Sequence, residues 1–280
     1  MHRNLGRLVC SPATRAAGIM AVVGVLAFPG AAEAAAILYG VSTISNNVYT
    51  INTTTGAATF VTNIPAEVAL TGAEFLNGEL WTTDVIFGGY KTVTVNLSTG
   101  IFTPRITQPG SNTWHGLAAN EATDRLYTVD LTGQPTLLSM TTAGVITPIG
   151  PTADIHGLAY DNSSGVLWGV NFTTLFRIDP LTGAPLTIGS LGPGSSTNAL
   201  MGLAFANGTL FLASKNSLYR VNTGTGLATL IGPNGFAVNG IDGLATFEPQ
   251  AVPAPEPASL FLLGTGLLGA GVRRWRQRRT

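Results

Sequence analysis

The chain has 280 residues, of which 10% are charged, and its 14 basic and 14 acidic residues give a formal net charge of zero. Between residues 36 and 249, six basic residues stand against twelve acidic ones, so this part carries a net charge of −6. A sparse, acidic surface repels phosphate backbones, which disfavours nucleic acid as a partner. The only cysteine is Cys10, which excludes an intramolecular disulfide and a cysteine-rich metal site.

Residues 1–35 have the layout of a secretory signal peptide. Three arginines precede the apolar stretch 16–28, and Ala34 ends an Ala-Glu-Ala sequence of the kind that signal peptidases cleave. This order predicts export, with cleavage after Ala34. Cys10 precedes the apolar stretch, whereas a lipoprotein signal needs a cysteine at the cleavage point, so we expect no lipid anchor.

Residues 36–249 contain five copies of one unit. A Leu-aromatic pair recurs at spacings of 42, 46, 41 and 43 residues. Two glycine markers recur with it, one in a turn and one at the start of a Gly-Leu-Ala-like strand. A period of about 40–45 residues with four short strands is typical of β-propeller blades. The aromatic residues are Tyr39, Trp81, Tyr127, Trp168 and Phe211, the turn glycines are Gly56, Gly100, Gly144, Gly183 and Gly226, and the strand glycines are Gly72, Gly116, Gly157, Gly202 and Gly243.

These repeats predict an all-β fold, a β-propeller with five blades of four antiparallel strands. The first copy begins at Leu38 without an inner strand, and 241–247 is an inner strand with no blade after it. Pairing of the two segments closes the ring and removes an exposed sheet edge. The alternatives are a six-bladed propeller with one degenerate copy and a β-sandwich. In the last full copy the predicted strands are 203–205, 210–213, 218–222 and 228–231, with a hairpin turn at Asn207-Gly208.

The repeats resemble those of extracytoplasmic propellers with Leu-Tyr-x-Val and Asp-x-x-Thr-Gly patterns, as in residues 175–183. The resemblance covers most of the domain 36–249 and implies a propeller that works outside the cytoplasm. Propellers include hydrolases, lyases and binding modules, so the fold alone does not select a function.

The residue before each strand glycine falls at the mouth of the predicted central channel. Three of these residues, His115, His156 and Asp242, are ligand types that suit divalent first-row metals. Thr71 and Met201 interrupt such a ring. The favoured alternative is that the histidines are structural and bond neighbouring turns, so we predict no catalytic residue, metal or cofactor in this domain.

A second set of polar residues ends the second strand of each repeat. Such residues commonly cap turns by bonding nearby backbone, which is the role we expect. A carboxylate pair for acid–base chemistry would instead need Asp84 and Asp130 about 5–9 Å apart. The set is Ser42, Asp84, Asp130, Asn171 and Ser214.

The repeat aromatic residues invite comparison with a sugar-stacking platform. Because they recur once per blade, we expect them to pack between blades instead, where aromatic burial stabilises the interface. Trp114 and Phe172 fall outside that register, and we expect core or rim packing for them too.

The C-terminal residues form three segments. Pro255, Glu256 and Pro257 end a proline-rich linker at 250–257, which proline keeps extended. The next 15 residues are apolar and would rise roughly 22 Å as a helix, short of the ~30 Å hydrocarbon core of a bilayer. A terminal cluster of arginines, which favours the cytoplasmic side, completes the tail 258–280. The arginines are Arg273, Arg274, Arg276, Arg278 and Arg279.

This order of segments resembles the PEP-CTERM sorting signal of Gram-negative bacteria. The resemblance implies export, transient anchoring in the inner membrane and processing at Pro255, Glu256 and Pro257 by the membrane peptidase exosortase. It also implies delivery to the cell surface or to an exopolysaccharide matrix. A plain tail anchor would use the same apolar stretch and arginines without Pro-Glu-Pro.

Two classes of function stay open. The favoured one is a non-catalytic propeller that binds or organises a surface polysaccharide or another surface protein. The alternative is a propeller hydrolase or lyase that acts on a carbohydrate or lactone, with a metal at His115, His156 and Asp242. A matrix filler without a specific ligand is a third hypothesis.

Overall fold

The structure is a computed structural model that describes residues 36–65, 69–84, 91–107, 113–196, 201–235 and 240–249. The predicted signal peptide with Ala34, the linker 250–257 and the tail 258–280 lie outside the described residues. Within the described ranges, no helix has both the length and the apolar character needed to cross a bilayer. The propeller strands belong to one compact unit, residues 34–251.

Within these described ranges, twenty strands form five four-stranded antiparallel sheets, which we number as blades 1 to 5. Blade 1 contains β1 (Ile37–Ser42), β2 (Asn47–Ile51), β3 (Ala58–Asn63) and β20 (Gly243–Phe247). Blade 2 contains β4 (Leu70–Leu76), β5 (Glu79–Asp84), β6 (Lys91–Val95) and β7 (Phe102–Thr107). Blade 3 contains β8 (Trp114–Asn120), β9 (Arg125–Asp130), β10 (Thr136–Thr141) and β11 (Ile146–Pro151). Blade 4 contains β12 (Gly157–Asp161), β13 (Val166–Val170), β14 (Thr174–Ile178) and β15 (Pro185–Ser190), and blade 5 contains β16 (Gly202–Ala206), β17 (Thr209–Ser214), β18 (Ser217–Val221) and β19 (Ala228–Pro233).

The ring closes as the sequence predicts. Strand β20 pairs with β1, with Leu244 opposite Gly40 and Phe247 opposite Ile37, and supplies the inner strand of blade 1. The five-blade count is confirmed, and so are the four strands predicted for the last copy, to within one or two residues at each end. The Asn207-Gly208 turn has positive φ at both positions, as the tight hairpin turn that matches strand twist requires.

The hydrophobic core is divided into five clusters, each lying between two adjacent blades. Each blade is therefore apolar on both faces, which is why its strands lack a clean alternation of apolar and polar residues. The repeat aromatic residues all lie in these clusters, and Trp81 is the most deeply buried, with 2% of its surface exposed. The prediction that they pack between blades is correct.

The five strand glycines meet at the axis of the ring. A Cβ atom on any one of them would lie 2.6 to 2.8 Å from the backbone of the next blade. Real side-chain atoms do not approach backbone so closely, so only glycine allows the inner strands to converge to this degree. The contacts run from Gly72 to Gly116, from Gly116 to Leu158, from Gly157 to Met201, from Gly202 to Leu244 and from Gly243 to Ala73.

A second contact between blades repeats near the circumference. In four blades the turn glycine packs against a carbonyl in the outer strand of the preceding blade, where a Cβ would collide. Blade 3 departs from the pattern, because nothing lies within 4 Å of the Cβ position of Gly144. All five turn glycines donate to a carbonyl oxygen of their own turn, but Gly144 N bonds the residue three positions back, Thr141 (2.9 Å), whereas the other four bond the residue four positions back. Thr141 Oγ1 also accepts from Val145 N at 3.2 Å. The four contacts pair Gly56 with Gly232, Gly100 with Asn63, Gly183 with Gly150 and Gly226 with Gly189.

The seam between blades 2 and 3, which is the contact that lacks the glycine packing at Gly144, differs from the other four in a further respect. Each outer strand has a β-bulge at one position, and in four blades the bulged residue is Val or Ile packed against a core cluster. In blade 2 the bulged residue is Arg105. Its Nε donates to Thr94 Oγ1 at 2.9 Å, its Nη2 lies 2.5 Å from Glu79 Oε1, and its guanidinium stands over Trp81.

The glycine contacts at the axis lead to a stability prediction. We expect Gly72→Ala to lower the free energy of unfolding of the 36–249 fragment by about 1–3 kcal/mol, because the new methyl group must displace the backbone of Gly116. Urea denaturation followed by circular dichroism measures the loss. Gly224→Ala is the matched control, since its Cβ would meet only Asn222 Oδ1 at 3.4 Å. An equal effect of the two substitutions would show that close approach at the axis is not what requires glycine.

Candidate functional site

The residues that precede the strand glycines form the set that we call the mouth of the ring: Thr71, His115, His156, Met201 and Asp242. Below it, the space between the inner strands is too small for a water molecule, because the glycines touch and Leu117, Leu158, Leu203 and Leu244 fill the axis. Among the described residues the mouth therefore does not lead into a channel at this level, and four of its five residues, Thr71, His156, Met201 and Asp242, are buried.

Two of the five mouth residues are held by bonds within the protein. The hydroxyl of Thr71 lies 3.0 Å from Thr83 Oγ1 and donates to the carbonyl oxygen of Trp114 at 3.1 Å. Asp242 accepts the backbone N–H of Thr43 through Oδ2 at 2.6 Å, and its own N–H bonds the carbonyl oxygen of Val41. Asp242 thus ties the closing strand to the β1–β2 turn, and burial raises its pKa to about 6.

The two histidines of the mouth are in direct contact. His115 lies in β8, and His156 precedes β12 and is fixed by a bond from its backbone N–H to the carbonyl oxygen of Val170. Their Nδ1 atoms are 3.4 Å apart, and their rings meet edge to face with centroids 4.9 Å apart. Phe172 covers the other side of His156 at 4.5 Å.

Both histidines are neutral at pH 7. Burial is the main cause, and it lowers the pKa of His115 to about 4, with a further decrease from the neighbouring His156. Burial also lowers the pKa of His156, although the nearby carboxylate of Asp154 opposes the shift. Neutral imidazoles keep a lone pair that can accept a hydrogen bond or bind a metal.

Asp154 is the member of this site that the sequence does not predict. Its Oδ1 lies 3.3 Å from His156 Nε2, although the two atoms are not aligned as a hydrogen bond. The residue precedes the strand glycine by three positions and is outside every repeat marker, so no pattern indicates it. Its position two residues before a candidate histidine is the one signal in the sequence that could have found it.

The predicted trio is not assembled in one place. His115 and His156 meet, whereas Asp242 is bonded to Thr43. Across the parts of the chain that the structure describes, no group of three or more His, Cys, Asp or Glu side chains is arranged to hold a metal ion.

The second set of polar residues mostly caps turns, as expected. Asp130 Oδ1 accepts from Thr132 N at 2.8 Å, and Asn171 Oδ1 accepts from the N–H groups of both Thr173 and Thr174. Asp84 differs, because its Oδ1 accepts from Ala69 N and so bonds the segment that enters β4. Ser42 Oγ accepts from Ser45 N at 3.4 Å, and the hydroxyl of Ser214 is buried without a hydrogen bond.

Glu74 is a buried carboxyl group that the repeat markers of the sequence do not predict. The other four blades have alanine at this position of the inner strand, whereas Glu74 Oε1 accepts from Phe75 N at 3.0 Å and from Thr246 N of blade 1 at 3.2 Å. Burial raises its pKa to about 8, against the opposing effect of the two N–H groups. The four alanines are Ala118, Ala159, Ala204 and Ala245.

The described residues thus form a five-bladed β-propeller with a sealed axis and a histidine pair at one end. Residues 253–279 match the family model described as the PEP-CTERM protein-sorting motif. The match includes Pro255, Glu256, Pro257 and the five terminal arginines, and it implies an exported protein that an exosortase in the membrane processes. A comparison with curated proteins gave no match.

Glu74 makes the stability of the ring depend on pH. The folded protein keeps a proton on Glu74 up to about pH 8, whereas the unfolded chain releases it above about pH 4.5, so stability falls as pH rises between these values. We expect Glu74→Gln to remove this fall and to be more stable than the parent at pH 8, by on the order of 4 kcal/mol, but not at pH 4. Denaturation midpoints of the two proteins across this pH range measure the difference.

Glu79→Gln is the control, because Glu79 is half exposed on the neighbouring strand and pairs with Arg105 at the surface. A surface pair of this kind contributes about 0–1 kcal/mol. If the difference between Glu74→Gln and the parent did not change with pH, Glu74 would not be the buried proton site.

Proposed function

We propose that this exported protein passes through the inner membrane and reaches the cell surface or an exopolysaccharide matrix. At that destination its propeller acts as a non-catalytic binding or structural module. The observation that carries the proposal is the sorting motif at 253–279 on the same chain as a closed propeller. Proteins that work in a matrix must hold their shape without chaperones or reductants, and a ring whose two ends are joined by the pairing of β20 with β1 suits that demand.

The packing at the inner ends of the blades supports a structural role for the residues around the axis. The glycine contacts and the leucines fill the space that a substrate would need, and Thr71 and Asp242 are used to join strands. Recognition of a partner would then depend on the outer surface of the ring.

A cleft on blade 2 is the surface that best suits a hydroxylated polymer. It has a volume of about 370 Å³ and lies beside the ion pair of Arg105 and Glu79. Charged, amide and hydroxyl groups line it, and such groups exchange hydrogen bonds with sugar hydroxyls. Its polar lining residues are Glu79, Thr94, Asn96, Ser98, Thr103 and Arg105.

A surface polysaccharide is therefore the ligand class that we assign to this cleft. Arg105, which lines the cleft, replaces the aliphatic residue of the other four blades, so its substitution by isoleucine would restore the common pattern of the repeat. The enzyme alternative, a hydrolase or lyase acting on a carbohydrate or lactone, is favoured by one observation, the neutral histidine pair at the mouth.

One experiment, in which the protein is mixed with polysaccharide, tests both the binding function and the enzyme alternative. We expect the 36–249 fragment to bind polysaccharide from the matrix of the producing cells in a saturable manner, and Arg105→Ile to weaken binding about tenfold, which corresponds to ~1.4 kcal/mol. Sedimentation with the polymer measures binding, and an assay of new sugar chain ends measures cleavage. Arg220→Gln, which removes an exposed arginine from blade 5, is the control and should bind normally.

Two outcomes would contradict the proposal. New chain ends that depend on His115 and His156 would favour the hydrolase or lyase. Binding that Arg105→Ile and Arg220→Gln weaken equally would show a general attraction between charges and would exclude the blade 2 cleft as the site.

A further inference from the structure

We propose that His115 and His156 bind one divalent first-row transition metal ion through their Nδ1 atoms at the mouth of the propeller. This site differs from the predicted trio, because it leaves Asp242 out and includes Asp154 as the partner of a ligand. It is independent of the polysaccharide cleft, which lies on the side of blade 2.

The distance between the two nitrogens fits a shared metal ion. Metal–nitrogen bonds to histidine are about 2.0–2.1 Å long, and at a tetrahedral angle two such bonds place their nitrogens about 3.4 Å apart. The Nδ1 atoms of His115 and His156 are 3.4 Å apart as they stand. No movement of either ring is needed to reach the spacing of two ligands.

The surroundings of His156 are those of a metal ligand. Ligating histidines usually donate their second ring N–H to a carboxylate, which fixes the tautomer and leaves the other nitrogen free for the metal. Asp154 Oδ1 is 3.3 Å from His156 Nε2, and half of the Asp154 side chain is exposed, so we infer that its carboxylate can turn to accept the Nε2 proton. With the proton on Nε2, the lone pair of His156 is on Nδ1.

Metal binding requires the two histidines neither to gain nor to lose a proton, because one proton only moves from one ring nitrogen to the other. Without metal, the two Nδ1 atoms approach each other at hydrogen-bond distance, and one of them must carry the proton between them. Because His156 keeps its proton on Nε2, that donor is His115. When the metal binds, His115 takes its proton on Nε2 instead, and both Nδ1 lone pairs face the ion.

Two histidines leave further coordination positions of the ion to be filled. Asp242 does not fill one, because its carboxylate bonds Thr43, and the described residues offer two protein ligands in all. Water or an oxygen ligand from solution would complete the shell. Imidazole nitrogens suit Zn²⁺, Cu²⁺, Ni²⁺ and Co²⁺ better than Mg²⁺ or Ca²⁺, so the site selects among metals by ligand type.

The experiment titrates the untagged 36–249 fragment with Co²⁺ and Zn²⁺. This fragment has only two histidines, since the third, His2, precedes it. We expect one ion per chain, and imidazole ¹⁵N resonances in which Nδ1 of both rings shifts while Nε2 of His156 stays protonated. His115→Gln and His156→Gln should each weaken binding at least tenfold.

Two further variants distinguish the histidine pair from the predicted trio and from adventitious binding at the surface. Asp154→Asn should weaken Zn²⁺ binding about 10- to 100-fold, the usual cost of losing a carboxylate behind a ligand. Asp242→Asn should leave the affinity unchanged, because it can still accept the N–H of Thr43. Circular dichroism confirms that each variant is folded. The proposal is overturned if the parent fragment binds no Zn²⁺, if His115→Gln and His156→Gln bind as well as the parent, or if Asp242→Asn abolishes binding.

Discussion

The whole ring depends on the close approach of five backbones at one level of the axis. Five sheets arranged around one axis must bring their inner strands together, and side chains at that level would hold them apart. Glycine removes this obstacle in every blade, and the neighbouring leucines then fill the small space that is left. At this level the axis consequently has no room for a water molecule among the described residues.

At a few positions, one blade has a residue or a contact that the other four blades do not share. Arg105 and the turn of Gly144 both change the seam between blades 2 and 3, where an ion pair replaces aliphatic packing and a backbone contact is missing. Glu74 replaces alanine and spans from blade 2 to blade 1. Arg105 and Glu74 each place a polar group where the repeat would place carbon, and we therefore expect each to make stability or binding sensitive to pH, salt or ligand.

Much of the fold was predictable, because the physical requirements of a blade recur and so become visible as a period. The strand glycines, the turn glycines and the aromatic residues each satisfy one steric demand per blade. The sequence also predicted the pairing of β1 with β20, because the first copy lacks an inner strand and the last segment is an inner strand without a blade. The site was less accessible. Asp154 and Arg105 act through contacts across turns and bulges, which sequence spacing does not encode. The separation of Asp242 from the histidines results from its bond to Thr43, a residue about 200 positions away in the chain.

Strand β20 has two duties, since it completes blade 1 and also connects the propeller to the segment that carries the sorting motif. Mechanical drag on the protein while that segment is held would therefore be transmitted through the ladder of β20 with β1 and through the contact of Gly243 with Ala73. The strand that resists this pull is the one whose loss would open the ring. Processing at the sorting motif would remove the tension from the pairing of β20 with β1, on which closure of the ring depends.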